Sequence, residues 1–136
     1  MKKILISLSV LLISSLSSQV LAEEFSYLSD LTPVQKQKLS RIYHSYKQEN
    51  NSLEMRISSY KDKLNKLNAN TEMPKEQVNM LKTAYERNLS TLSVQQEELK
   101  KQTEELYKSV MSAKQYQQHQ AQQLQTQNAF NEFLRK

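Results

Sequence analysis

Leu39, Tyr46, Leu53, Tyr60 and Leu67 recur at intervals of seven residues, and Ile42, Tyr43, Ile57 and Leu64 fill the intermediate positions of the same stripe. Apolar side chains at this spacing share one face of a helix, so the stripe predicts an amphipathic α-helix about ten turns long. Asn68-Ala69-Asn70-Thr71 breaks the pattern, and Pro74, which has no N–H to give to a helix interior, belongs near the start of a new helix. A second sevenfold series follows, Val78, Tyr85, Leu92, Leu99 and Leu106, joined by Leu81, Ala84, Leu89 and Val110. Two arms of matched length across a short turn make a long antiparallel helical hairpin, each arm roughly 50 Å long at about 1.5 Å per residue. Asn50-Asn51-Ser52 interrupts the first stripe and marks where that arm would bend or divide. The fold class is all-α.

The first arm has a defined beginning. Leu31 to Gln35 reads LTPVQ. Thr32 can accept the backbone N–H of Gln35 while the Gln35 amide reaches back to Thr32, a reciprocal capping box, and Pro33 takes the first helical position, where a missing donor costs nothing. Leu31, just outside the cap, is placed to fold back onto apolar surface. Beyond Val110 the composition changes: Gln115, Gln117, Gln118, Gln120, Gln122, Gln123, Gln125 and Gln127 crowd together with few charges. Tyr116, Leu124, Ala129, Phe130, Phe133 and Leu134 supply contact points for a third, flanking helix, less firmly packed, whose glutamines form a solvated face.

The N-terminus specifies a compartment. Met1-Lys2-Lys3, an apolar run from Ile4 to Leu16 and the small residues around Val20-Leu21-Ala22 form a secretory signal peptide over residues 1–22. The run is too short for a span of about 20 residues, so stable membrane insertion is not expected. Residues 23–32 then read as an N-terminal extension and 33–136 as a single helical domain, exported to the periplasm. The chain has no cysteine, which removes disulfides and thiol chemistry in an oxidising compartment.

Loss of Lys2 and Lys3 leaves 17 basic against 14 acidic side chains, a net charge of +3, too mild for a nucleic-acid binder. That charge is not spread evenly. Between Pro33 and Ala69 stand eight basic residues against three acidic, whereas Pro74 to Lys108 is balanced at six against six. Only 38 of the 114 residues after the signal are apolar, so the core is thin and pairing with a second copy, a homodimer, is expected.

LTPVQKQKLSRIYHSYKQEN, Leu31 to Asn50, resembles the first signature of the LTXXQ-motif family of periplasmic proteins, of the Spy and CpxP type. Its members carry the signature twice. About eighty residues on, Met111-Ser112-Ala113-Lys114-Gln115 is a degraded copy that keeps an apolar residue, a hydroxyl cap and the glutamine three residues after it; the matching positions are Leu31, Thr32, Gln35, Met111, Ser112 and Gln115. The resemblance implies a cradle-like homodimer of bent hairpins that holds unfolded or misfolded envelope proteins during envelope stress, without ATP. With no glycine in the chain there is no phosphate-binding loop, and no cofactor is expected. Such a chaperone attracts net-acidic clients by positive charge and holds them by scattered apolar contact. The candidates are Arg41, Lys47, Arg56, Lys61 and Lys63 for the first step, and Tyr43, Tyr46, Met55, Ile57 and Tyr60 for the second.

Two other roles fit the same pattern. One is a regulator that docks on the periplasmic domain of an envelope-stress sensor kinase. The other is a periplasmic sensor or buffer for zinc, copper or nickel, for which the only histidines, His44 and His119, are 75 residues apart and lack a paired ligand spacing. Catalysis is not expected, because charged pairs such as Glu97-Glu98 and Lys100-Lys101 are explained by helix faces that meet water.

Overall fold

The structure, a computed structural model, describes residues 24–135; the expected signal peptide lies outside the described residues. Three helices follow one another, α1 (Pro33–Ala69), α2 (Lys75–Val110) and α3 (Ala113–Arg135), and α1 and α2 pack closely as a hairpin. None of the described helices is long and apolar enough to cross a membrane. Each helix carries a basic residue in its last turn, Lys66, Lys108 and Arg135, where positive charge complements the exposed carbonyls. α1 runs without a break through Asn50-Asn51-Ser52.

The turns are built without glycine. Between α1 and α2 the Asn70 side chain does the work of a tight turn, its Oδ1 accepting the backbone N–H groups of Glu72 (2.9 Å) and Met73 (3.1 Å). The Pro74 carbonyl then accepts from the Val78 N–H at 3.0 Å and opens α2. Ahead of α1 the chain needs a left-handed residue, and Asp30 supplies it at φ 58°. Aspartate is among the few residues other than glycine that visit this region.

The described residues divide into two compact units, one of residues 24–45 and 103–135, the other Tyr46–Gln102. The second unit is a two-helix pair whose buried apolar side chains are Leu53, Leu67, Leu92 and Leu99. Ile57, Tyr60, Leu64, Val78, Leu81, Tyr85 and Leu89 are half-buried along the same seam, as the sevenfold pattern requires. Asn50 sits in that seam too. Its Oδ1 accepts from Gln96 Nε2 at 3.2 Å, and the same nitrogen donates to Glu54 at 2.6 Å.

In the first unit α1, α2 and α3 surround a core of Phe25, Leu28, Leu39, Ile42, Tyr107 and Met111, with Tyr27, Leu31, Tyr43, Val110 and Tyr116 packed against it. Leu39 is fully enclosed. Leu31 thus folds back onto apolar surface, as its position beside the cap predicts. Two expectations need revising here. Leu106 is 37% exposed and Ala84 is exposed, while Thr103 and Tyr107 are the buried positions of the last two turns of α2. An α-helix with 3.6 residues per turn drifts about 20° per heptad from a strict sevenfold repeat, so the buried stripe moves from Leu99 to Thr103 and Tyr107. The second revision concerns residues 23–32, set apart by sequence as an extension. Phe25 and Leu28 from this strap are 3% and 8% exposed and form part of the core itself. Each contributes about 1.5–3 kcal/mol by burial.

Candidate functional site

Both halves of the motif form the caps that their spacing implies. At Thr32 the Oγ1 accepts the Gln35 N–H at 3.1 Å while Gln35 Oε1 accepts the Thr32 N–H at 3.0 Å. At Ser112 the arrangement repeats, 3.1 Å from the Gln115 N–H to Oγ and 2.9 Å from the Ser112 N–H to Gln115 Oε1. Only the residues Met111 and Ser112 separate α2 from α3, and the Met111 side chain enters the core.

Sequence gave no sign that the two glutamines meet. Gln35 Nε2 donates to Gln115 Oε1 at 2.9 Å and to the Val110 carbonyl at 3.1 Å. Gln115 Nε2 donates to the Ser29 carbonyl at 2.9 Å, with Gln35 Oε1 3.4 Å away. Each carboxamide therefore caps its own helix with its oxygen and secures another segment with its nitrogen: the end of α2 in one case, the strap in the other. Gln118 adds to the hold on the strap, its Oε1 accepting from the Ser29 N–H (3.1 Å) and Oγ (3.2 Å). Gln115 and Gln118 thus depart from the solvated face expected of the glutamine run, whereas Gln117 and Gln120 are exposed.

His119, 2% exposed, lies under the same strap. Its Nε2 is 3.0 Å from Glu104 Oε2, and its Nδ1 is 2.6 Å from the Tyr27 hydroxyl. A carboxylate only accepts, so the Nε2–H donates to Glu104; in the neutral imidazole Nδ1 then accepts from the Tyr27 hydroxyl. Tyr27 stacks on the ring, and Tyr107 and Tyr116 pack around it at centroid distances of 5.4 and 6.1 Å. Burial pushes the Tyr27 phenol up to about 12, with the Glu104 carboxylate adding to the effect. Tyr43 is raised as well, first by burial and then by Glu24. Phe25-Ser26-Tyr27-Leu28, three large apolar side chains in four positions, is the signal in the sequence that could have placed this strap in the core.

The two histidines do not meet as a ligand pair. His119 is committed to Tyr27 and Glu104. His44, edge-on to Tyr43, has a buried Nε2 without a hydrogen-bond partner among the described residues. Among the described residues no three histidine, aspartate or glutamate side chains converge as a metal site would need.

The basic and apolar candidates separate by unit. Arg41 is exposed and Tyr43 packs edge-on against Phe25 at 6.2 Å, both in the strap-covered unit. Tyr46, Lys47, Met55, Arg56, Ile57, Tyr60, Lys61 and Lys63 belong to the two-helix unit. There Lys47, Arg56, Lys61 and Lys63 are exposed, Tyr46, Ile57 and Tyr60 are half-buried, and Met55 is 74% exposed. Tyr60 meets Tyr85 at 6.0 Å, and the Lys63 ammonium stands 4.9 Å from the Tyr60 ring centroid and 5.9 Å from that of Tyr85. This basic and aromatic group, with one face in water, is the part of the candidate surface that the fold assembles. No family model, curated protein sequence or solved structure matches the chain.

Proposed function

We propose that this protein is an ATP-independent chaperone of the periplasm, which holds unfolded or misfolded envelope proteins on the surface of its two-helix unit. The observation that carries the reading is the thinness of Tyr46–Gln102. Two helical segments bury four leucines between them, while Met55 and Met80 stand 74% and 71% exposed and Val94 65%. Unbranched, polarizable methionine side chains adapt to varied apolar partners. Arg56, Lys61 and Lys63 provide the long-range attraction, and Tyr60 with Tyr85 the contact that follows capture. The two LTXXQ-like caps at Thr32 and Ser112 support the same reading.

The purified protein should suppress aggregation of a reduced or heated acidic client at low ionic strength, less so as salt rises past the point where the screening length falls to about 8 Å. Joint replacement of the exposed Arg56 and Lys61 by glutamate should slow capture without lowering the melting temperature. Absence of suppression at several-fold excess over client would overturn the proposal.

A further inference from the structure

The face of α3 that docks within its own unit continues past the point where docking stops. Gln115 and His119 are 4% and 2% exposed, and Tyr116 packs on the core. Steps of three and four residues from Gln115 and His119 lead through Gln122, Gln123 and Thr126 to Phe130, Phe133 and Leu134 on the same side of the helix. These last three are 59%, 73% and 65% exposed. One stripe is therefore packed at its beginning and bare at its end. Leu124, exposed as well, falls on another side and does not belong to it. A single exposed leucine is ordinary, but two phenylalanines and a leucine on one continuous stripe mark a surface that meets a partner.

We infer that the distal half of α3 pairs with the same segment of a second copy of this chain, the two helices antiparallel about a two-fold axis near Phe130. Three observations select this occupant. From Gln115 to Asn131 there is no acidic or basic side chain other than the buried His119, and Glu132 and Arg135 beyond it fall off the stripe at helical spacing, so the stripe itself brings two copies together without like-charge repulsion and offers a charged partner no ion pair. Interfacial helices that lie on anionic lipid carry a polar face rich in lysine and arginine, whereas here the polar residues are glutamine and asparagine. Carboxamides, moreover, are both donors and acceptors and so complement their own kind, as Gln35 and Gln115 already do. Finally, Phe130 and Phe133 each leave on the order of 100–150 Å² bare. Doubled by symmetry and flanked by Leu134 and the glutamines, the contact reaches roughly 1,000 Å², the lower bound of a specific interface. This pairing differs from the hairpin-to-hairpin dimer that the motif resemblance implies, and it does not depend on the chaperone reading.

Sedimentation equilibrium of the purified protein, processed as the cell leaves it, tests the pairing. Wild type should dimerise with a micromolar dissociation constant, and the F130Q/F133Q double variant should weaken it by on the order of 100-fold. Because both side chains are exposed, helical circular dichroism and the melting temperature should not change. Since the chain has no cysteine, Ala129→Cys offers a thiol that a bismaleimide can bridge only between copies. That cross-link should form at micromolar concentration and vanish in the F130Q/F133Q background. A protein that stays monomeric at every concentration would overturn the inference. So would a dimer indifferent to F130Q/F133Q, or Phe130- and Phe133-dependent co-sedimentation with phosphatidylglycerol vesicles in place of self-association.

Discussion

Gln35 and Gln115, 80 residues apart, hold each other side chain to side chain, with Gln35 Nε2 2.9 Å from Gln115 Oε1. This contact accounts for the residue type at the end of both motifs. A capping box accepts glutamate as readily as glutamine, but only an amide has the nitrogen that reaches Val110 from one side and Ser29 from the other. Gln115→Glu should destabilise the protein by about 2–3 kcal/mol at neutral pH, because it buries a carboxylate facing the Ser29 carbonyl. Part of that loss should return at about pH 4, where the protonated acid has a donor again. Urea unfolding at both pH values checks it; equal destabilisation at the two would contradict the donor argument.

Besides Leu28 and the contacts of Ser29 with Gln115 and Gln118, the Phe25 ring and the Tyr27 hydroxyl anchor the strap. Phe25→Ala should cost about 3–5 kcal/mol and Tyr27→Phe about 1–3 kcal/mol, the latter because His119 Nδ1 loses its buried hydrogen-bond partner. Hydrogen exchange should report the first as loss of protection at Leu28, whose N–H donates to the Phe25 carbonyl at 3.1 Å.

Alkaline pH should loosen the same strap. Tyr27 in the folded protein ionises at about 12, above its ordinary value of 10.0. A raised folded value means that its stabilising effect is complete below pH 10 and is lost as pH rises from 10 towards 12, where the unfolded chain ionises first. The limit is about 2.7 kcal/mol, reduced to about 1–2 kcal/mol by solvent at the half-exposed phenol. Denaturant midpoints of wild type and Tyr27→Phe should converge over that interval.

Leu99 and Leu106 occupy the same place in the sevenfold repeat and differ in the fold. Leu99 is 5% exposed and Leu106 37%. Leu99→Ala should therefore cost about 2–4 kcal/mol and Leu106→Ala under about 1 kcal/mol. Equal losses in thermal unfolding would restore the strict heptad register.

Asp30→Val should destabilise by about 1–2 kcal/mol, since a β-branched residue is a poor occupant of a positive φ, whereas Asp30→Asn should be close to neutral. Chemical denaturation of the two variants distinguishes a backbone requirement from a side-chain contact.

The elements that the sequence announced are those whose signal is local and periodic. Leu39, Leu53 and Leu67 are buried where the first stripe placed them, and Thr32 and Ser112 cap their helices as a hydroxyl followed three residues later by glutamine should. What remained hidden depends on partners distant in the chain. Gln35 and Gln115 each had a sufficient local explanation as caps, so nothing in their neighbourhoods required that they touch. Tyr27 and His119 likewise have no periodic relation; only folding brings them within 2.6 Å. The expected client surface was legible as charge along α1, yet Tyr43 is drawn into packing against Phe25, because the strap that covers it belongs to no helical pattern.

The strap also imposes a timetable. Tyr27 is among the first residues of the described chain to be synthesised, and the histidine that receives it lies 92 positions later. The two-helix unit can form from contacts across its own turn, whereas the unit closed by the strap must wait for the last helix to emerge, and closing so long a loop slows its assembly. Phe25 and Leu28 spend that interval uncovered, so a newly made chain is, for a time, in the same condition as the molecules it is proposed to protect.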